Sequence, residues 1–370
     1  MTKKRMLSLL LAALLLCAAA GCTVRGETAV TESPAPTETP GLSPTPTPTP
    51  TPTPKPTPTP EPTPEPEPAF RHPLNGSAMD APLTDRPFAV MINNRSVALP
   101  HCGVSQADIL YEVLVEGSVT RMMAIFSDIR PVEKLGSIRS IRPYYLDIGL
   151  TYGAVLCHAG GSEAAYGRIR SEGLQNIDGV RGSYSFAVFY RDPNRMTGGI
   201  EHSLFTSGEN LYKCAQEKKY PLTVEDYDAG LLFARDAVPT DGESAEHMKI
   251  DFTYYKSTDF SYDADAGCYT MRQYDQDYID GNTGEKVEFQ NVLALSVKVA
   301  LLDGEGRISV DTTAGGEGWF LCGGKYVPIT WARDAGDVFR YYNADGSELH
   351  LAEGRSYIAL VPTTGTVTIE

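Results

Sequence analysis

The stretch "ADILYEVLVEGSVTRMMAIFSD", residues 107–128, holds two apolar runs separated by a short turn at Glu116, Gly117 and Ser118. Two such runs joined by a few residues that include glycine are typical of a β-hairpin. The preceding stretch "RPFAVMINN", residues 86–94, has the composition of a buried strand that runs into a polar loop. The folded part of the chain is therefore predicted to begin with a β-sheet.

Helix signals alternate with strand signals after the hairpin. Pro143 suits the first position of a helix, and "GAVLCH", residues 153–158, is typical of a short buried strand. The turn "AGGS" then places Ser162 at the N-cap of a second helix, and "TSGE", residues 206–209, is a capping box that opens a third. Strands that alternate with helices predict an α/β domain over residues 70–238.

The pattern changes after the polar segment "PTDGESAEH", residues 239–247. Short apolar runs follow, punctuated by turn sequences such as "IDGNTGE", "LDGEG" and "NADGSE". Regular turn signals between short strands are typical of a sandwich or barrel. The predicted fold class is α+β: an N-terminal α/β domain followed by a β-rich, sandwich- or barrel-like C-terminal domain over residues 248–370.

The N-terminus, "MTKKRMLSLLLAALLLCAAAGC", has the parts of a signal peptide over residues 1–22. Three positive charges precede an apolar core too short to span a bilayer, and small residues precede Cys22. This order resembles a bacterial lipobox, in which the cysteine becomes the lipidated first residue; an ordinary cleaved signal peptide is the alternative. We expect an extracytoplasmic lipoprotein that is anchored to the lipid bilayer of the cell membrane through Cys22.

Residues 23–69 are rich in threonine and proline and are predicted to form a disordered or semi-rigid spacer. Alternating proline removes amide donors and fixes φ, so neither a helix nor a sheet ladder can form. A polyproline II segment rises about 3.1 Å per residue, so about 35 residues would reach on the order of 100 Å. Such a spacer would hold the folded part away from the membrane.

The chain has 370 residues and a formal net charge of −15, and loss of the basic signal peptide makes the remainder more acidic still. Generic binding to nucleic acids or to anionic lipids is excluded by this charge, so any anion site must be local. Five cysteines follow Cys22 without CxxC spacing, which indicates buried small hydrophobic residues rather than a zinc site or a disulfide framework. The sequence carries no signal for an oligomeric state.

The common catalytic and metal-binding motifs are absent. No GxGxxG follows a strand, and neither GxxxxGK[ST] nor HExxH occurs. The stretch "GGSEA", residues 160–164, has Ala164 where a nucleophile elbow has its second glycine. The acids of "DQDYIDGNTGE", residues 275–285, fall at the wrong offsets for a calcium loop. No metal, cofactor or catalytic residue is therefore predicted.

One set of residues has the composition of an anion site. Arginine side chains suit phosphate or carboxylate because they donate paired hydrogen bonds, and glycines in a strand-to-helix turn allow a ligand to approach the backbone. The candidate residues for an anionic ligand are Arg121, Arg139, Arg142, His158, Gly160, Gly161, Ser162 and Arg168. The alternative is structural: these arginines pair with acids such as Glu112, Glu116 or Asp147.

The chain resembles the YerB family of bacterial lipoproteins. The resemblance lies in "RPFAVMINN", "GVSQADILYEVLVEGSVTR", "LGSIRSIRPYYLD" and "CHAGGSEAA", and in "GNTGEKVEFQNVLAL", "GEGWFLCGGKYVPITW" and "LAEGRSYIALVP" of the second half. It covers nearly all of the folded region. It implies a two-domain surface lipoprotein, and it supplies no catalytic residues to carry over.

A second, more limited similarity is to the LytR-CpsA-Psr phosphotransferases of wall assembly. In that family an aspartate and arginines bind magnesium and a polyprenyl pyrophosphate, and Asp108, Arg139 and Arg142 would be the nearest matches. Ser140 stands where that family has an aspartate. Three functions are thus compatible with the sequence: a non-catalytic binding or scaffolding lipoprotein with an anion site, for a wall polymer or a lipid-linked glycan; such a phosphotransferase; or a purely structural partner-binding module.

Overall fold

The computed structural model of the protein describes residues 67–184 and 187–370. The predicted signal peptide, the predicted lipidation site Cys22 and residues 23–66 of the predicted spacer lie outside these ranges. Within the described ranges, no helix combines the length and the apolar character needed to cross a bilayer.

Three α-helices occur in the described residues: α1 (Pro143–Thr151), α2 (Glu163–Glu172) and α3 (Gly208–Glu217). Pro143 lies in the first turn of α1, and the Ser162 hydroxyl accepts a hydrogen bond from the Ala165 amide at the start of α2. Ser207 caps α3 in the same way. Short 3₁₀ turns lie at Ser96–Ala98, Val104–Gln106, Pro193–Gly198 and Ile200–His202.

Most of the regular structure is β-strand. Before residue 239 the strands are β1 (Phe70–Arg71), β2 (Ala78–Met79), β3 (Phe88–Asn94), β4 (Ile109–Val115), β5 (Val119–Phe126), β6 (Leu135–Gly136), β7 (Val155–His158), β8 (Asn176–Asp178), β9 (Tyr190–Arg191), β10 (Leu204–Thr206) and β11 (Leu232–Ala234). After it they are β12 (Glu243–Ser244), β13 (His247–Thr253), β14 (Lys256–Asp263), β15 (Cys268–Gln273), β16 (Gln276–Asp277), β17 (Glu288–Phe289), β18 (Asn291–Val297), β19 (Val299–Leu301), β20 (Ile308–Val310), β21 (Gly316–Cys322), β22 (Lys325–Ala332), β23 (Arg340–Asn343), β24 (His350–Ala352), β25 (Ser356–Pro362) and β26 (Thr366–Ile369).

A mixed sheet runs through both halves of the chain. Its strand order is β12-β22-β21-β18-β25-β4-β5-β3-β7-β8, and β23 pairs with β22. The junction is the parallel pairing of β4 with β25, in which Tyr111 lies opposite Ile358 and Glu112 opposite Ala359. β4 and β5 form the hairpin that the sequence predicted, and β13, β14, β15 and β26 belong to a second sheet.

The predicted fold class is wrong. The protein is mostly β, and strands from residues 70–238 and 248–370 share one sheet instead of forming an α/β domain followed by a separate sandwich or barrel. The physical reason is that apolar patterns identify buried strands but do not say which strands pair. The division into two domains at residues 239–247 stays a prediction.

Two hydrophobic clusters cover the opposite faces of the shared sheet, because successive strand residues point to opposite sides. Phe88, Val90 and Ile92 belong to the cluster that includes residues of α3 and the second sheet. Ala89 and Met91 belong to the cluster that includes residues of α1 and α2. The five cysteines after Cys22 are all buried within the fold.

The segment around Arg139 is inserted where β3 and β7 separate. These two strands run parallel, from the pair Phe88 and Val155 to the pair Val90 and Cys157. Beyond that point the Arg139 amide donates to the Met91 carbonyl, at 3.0 Å, and its carbonyl accepts from the Ala159 amide, also at 3.0 Å. Arg139 therefore lies at the carboxyl ends of two parallel strands, where open sheets commonly bind ligands.

Candidate functional site: an arginine-lined cleft

Arg139 has a half-buried guanidinium. Burial lowers its pKa, the nearby carboxylate of Glu201 opposes that effect, and the positive charges of Arg142 and Arg95 add to it. Across residues 67–184 and 187–370, no hydrogen bond or ion pair joins this guanidinium to another group. Removing a charge from water without a partner is costly, so this side chain is poised to accept an anion.

Arg121 supports the segment that carries Arg139. It is the third residue of β5, is 9% exposed, and donates from Nη1 to the Ser140 carbonyl at 2.6 Å. Burial lowers the pKa of Arg121 to about 10, and the positive charges of Arg142 and Arg139 contribute to the shift. Arg121 therefore holds the backbone at Ser140 and adds to the positive potential near Arg139.

Arg142 and Arg168 are held in ion pairs. Arg142 Nε donates to the Glu116 carboxylate, with oxygens at 2.7 and 3.0 Å. Arg168 pairs with Asp147 at 2.9 Å and with Glu172 at 2.7 Å, and the hydrogen bond to Glu172 is the main cause of its raised pKa. Arg142 and Arg168 therefore form the ion pairs of the structural alternative. Glu116 and Asp147 are two of the acids that the sequence analysis named as partners.

The turn at residues 158–162 forms one wall of the cleft. Gly160 has φ +76, and its amide donates to the Asp178 carboxylate at 2.8 Å. The His158 side chain is fully buried with Nδ1 2.9 Å from the Gly160 carbonyl, and burial lowers its pKa, so the ring is neutral at pH 7. Gly161 lies against Ile141, and the Ser162 hydroxyl is used to cap α2. The candidate residues of this turn therefore shape the wall.

The cleft has a volume of about 310 Å³. It is lined by Arg139, Gly160 and Gly161 from the predicted set, and also by Val180, Arg181, Arg191 and Ile200. Arg191 donates to the Ile200 carbonyl and to the Ser203 hydroxyl, whereas Arg181 lies over the Tyr166 ring and pairs with Glu163. The sequence prediction missed these four residues, because they lie in turns or in the two-residue strand β9, which are too short to show a periodic pattern.

A larger groove, of about 450 Å³, lies elsewhere on the shared sheet. Its walls include Trp319, Pro328 and Val367, and Glu317 is its charged residue. No lysine, arginine or histidine side chain lines this groove. The arginine-lined cleft is smaller but has a defined chemistry, and it is therefore the stronger candidate.

The residues matched to the phosphotransferase similarity do not lie together. Asp108 directly precedes β4, and its carboxylate accepts hydrogen bonds from Asn75 and from the amide and hydroxyl of Ser127. Arg142 instead pairs with Glu116, directly after the opposite end of β4. Arg121, which donates to the Ser140 carbonyl beside Arg139, lies opposite Val113, about 16 Å of strand from Asp108. In the described part of the chain, no group of three or more His, Cys, Asp or Glu side chains is arranged to hold a metal ion.

Two family models match the chain over most of its folded length. Both are described as Protein of unknown function (DUF3048): the N-terminal domain matches residues 74–221 and the C-terminal domain residues 248–358. The chain belongs to this two-domain family, which includes YerB.

The chain is 29% identical over 302 residues to putative lipoprotein YerB of Bacillus subtilis (strain 168), covering 80% of this chain and 88% of that relative. The crystal structure of the YerB protein from Bacillus subtilis matches with a TM-score of 0.70 at 27% identity, over 81% of this chain and 99% of that one. The resemblance to the YerB family is thus confirmed.

Proposed function

We propose that the protein is a non-catalytic binding protein of the cell envelope that holds a phosphate or carboxylate group in the Arg139 cleft. The observation that carries the proposal is the half-buried Arg139 guanidinium, which lacks a hydrogen-bonding partner in the described part of the chain. The ligand group would be part of an anionic wall polymer or a lipid-linked glycan.

The electrostatics of the cleft favour an anion despite the acidic chain. The positive charges of Arg142 and Arg95 lower the pKa of Arg139, and those of Arg142 and Arg139 lower the pKa of Arg121. The Glu201 carboxylate, which opposes this effect at Arg139, also lines the cleft but is exposed to water. An anion that bonds to Arg139 would relieve both the desolvation of this side chain and the repulsion among the arginines.

The envelope location rests on different support. The relative YerB is named a putative lipoprotein, and this chain has the lipobox-like sequence ending at Cys22. In this proposal the lipid anchor and the Thr/Pro-rich spacer hold the folded body outside the cytoplasmic membrane, within reach of envelope polymers.

The test is titration calorimetry of residues 67–370 with inorganic phosphate, with pyrophosphate and with acetate, which represents a carboxylate ligand. Arg139→Gln should weaken binding at least about tenfold, because a hydrogen bond to a charged group is worth about 1.5–3 kcal/mol. Arg170→Gln is the matched control, because this substitution removes the same charge at an exposed position of α2. Equal affinities in the two variants, or no binding by the parent, would refute the proposal.

A turnover assay with a lipid-linked pyrophosphate, together with these titrations, separates the other two functions. Turnover of a lipid-linked pyrophosphate that disappears in Arg139→Gln would replace the binding function with the phosphotransferase. Absence of any anion binding would leave the partner-binding module.

A further inference from the structure

The rim of the Arg139 cleft carries exposed aliphatic side chains beside the charged side chains of Arg181, Arg191 and Glu201. Val180 and Ile200 line the cleft and are 59% and 60% exposed. Val97 and Met196, 49% and 41% exposed, lie on the adjoining turns, and Val97 lies against Gly198. Exposed large aliphatic side chains are thus grouped beside a cation that lacks a partner in the described residues.

Hydrogen bonds hold the backbone that carries Val180 and Ile200. The Val180 amide donates to the Asp178 carboxylate at 2.9 Å, and that carboxylate also holds the Gly160 amide. The Ile200 carbonyl accepts hydrogen bonds from Arg191 and from the Ser203 hydroxyl. The rim is therefore ordered, and its aliphatic groups remain exposed to solvent.

A second anchor holds the outer part of the rim. The Arg195 guanidinium donates to the carbonyls of Leu99 and Pro100, both at 2.8 Å, and to the Ala98 carbonyl at 3.3 Å. This one side chain joins the Pro193–Gly198 turn to the Ser96–Ala98 turn. Met196 and Val97 are consequently presented together.

Ordered exposed apolar groups next to a cation match a ligand that has both characters. We propose that the cleft binds an amphiphile with a phosphate head at Arg139 and an aliphatic chain across Val180 and Ile200. An aliphatic chain fits better than a sugar face, because Arg181 already covers the Tyr166 ring, the aromatic group of the cleft, at 3.8 Å. This inference rests on the proposed anion site and specifies its ligand class.

The experiment compares three probes by calorimetry on residues 67–370: inorganic phosphate, hexyl phosphate and hexanol. Hexyl phosphate should bind at least about tenfold more tightly than phosphate, because burial of two methylenes is enough for that gain. Hexanol, which lacks the charged head, should bind more weakly than hexyl phosphate. Equal affinities for phosphate and hexyl phosphate would overturn the inference and leave the anion site standing.

Variants test whether Val180 and Ile200 cause the higher affinity for hexyl phosphate than for inorganic phosphate. Val180→Ser/Ile200→Ser should lose the preference for hexyl phosphate and keep the affinity for inorganic phosphate, which also shows that the cleft is folded. Leu302→Ser is the matched control, because Leu302 is 62% exposed on the β19–β20 hairpin, outside the cleft. A preference unchanged in the double variant would overturn the inference. If the parent protein does not bind phosphate, the anion site itself is refuted.

A last measurement identifies the source of the amphiphile. Phosphatidylcholine vesicles with and without phosphatidic acid are sedimented with the protein. Co-sedimentation that requires phosphatidic acid and Ile200 would identify a bilayer lipid, whereas hexyl phosphate binding without co-sedimentation would identify a free amphiphile. Both results support an amphiphilic ligand.

Discussion

The Glu116 carboxylate lies 2.7 Å from Nε of Arg142, and this half-buried pair joins the turn of the β4–β5 hairpin to the residue that precedes α1. Although burial opposes it, the hydrogen bond from Arg142 lowers the pKa of Glu116, so the carboxylate is ionised at neutral pH. The pair satisfies Arg142 within the protein. Of Arg139 and Arg142, it is therefore Arg139 whose side chain is free to bind a ligand.

We expect Glu116→Gln to strengthen phosphate binding by about two- to fivefold. Removal of this negative charge raises the positive potential at Arg139. The variant should also lose about 1 kcal/mol of unfolding free energy, because the pair is only partly exposed. Titration calorimetry and urea denaturation measure the two effects. Glu172→Gln, which breaks an exposed pair with Arg168, is the control and should change neither quantity appreciably; if Glu116→Gln behaves like it, Glu116 does not tune the cleft.

The second prediction concerns a buried ion pair between the two sheets. Glu112 of β4 and Lys256 of β14 are 2.9 Å apart and almost fully buried, and Tyr357 and Thr258 also donate to the Glu112 carboxylate. Lys256→Met should lower the free energy of unfolding by about 3–5 kcal/mol, because it leaves a buried carboxylate without its counter-charge. Urea denaturation measures this loss.

Two further variants show whether the loss arises from the uncompensated charge. Lys213→Met breaks an exposed pair with Glu209 in α3 and should cost less than about 0.5 kcal/mol. Adding Glu112→Gln to Lys256→Met should restore part of the stability. If the double variant is no more stable than Lys256→Met, lost packing and not charge explains the effect.

The third prediction follows from the sheet that both halves share. A chain of residues 67–238 lacks β25, so β4 loses its parallel partner in the middle of the sheet. It also lacks Arg355, a partly buried residue whose guanidinium donates to the carbonyls of Ala107 and Val104. We expect this fragment to show no cooperative thermal transition, whereas residues 67–370 should unfold in one sharp transition. A monomeric fragment with a sharp transition would instead establish two independent domains.

Local features of the fold were predictable from the sequence, and long-range pairing was not. The hairpin around Gly117, the start of α1 at Pro143 and the cap at Ser162 depend on neighbouring residues, and the structure shows all three. The pairing of β4 with β25 joins strands more than 240 residues apart. A single sequence contains no signal for such a contact, because both strands are simply apolar.

The candidate site, too, could be predicted only in part from the sequence. Arg139, Gly160 and Gly161 were found because they flank regular elements, and they line one cleft. Arg142 was indistinguishable from Arg139 in sequence, and its pairing with Glu116 depends on how the hairpin turn meets α1. The apolar rim at Val180 and Ile200 comes from irregular backbone that carries no periodic pattern.

The last prediction is a loss of stability in acid through His101. This ring is fully buried with Nδ1 2.7 Å from the Tyr278 hydroxyl, and burial, with the nearby charge of Arg195, lowers its pKa from 6.5 to about 3. The unfolded chain takes up this proton near pH 6.5, whereas the folded protein does not until about pH 3. The unfolded state therefore binds more protons in this window, and the free energy of unfolding falls as the pH is lowered from 6.5 towards 3.

Urea denaturation at several pH values measures this slope. His101→Gln should be less stable than the parent at pH 7, since it disturbs a packed site, and its stability should fall less steeply between pH 6.5 and 4. His247→Gln is the control, because His247 is exposed and its removal should leave the parent slope unchanged. If the slope of His101→Gln equals that of the parent, other groups carry the acid sensitivity, and the buried His158 is then the next residue to replace.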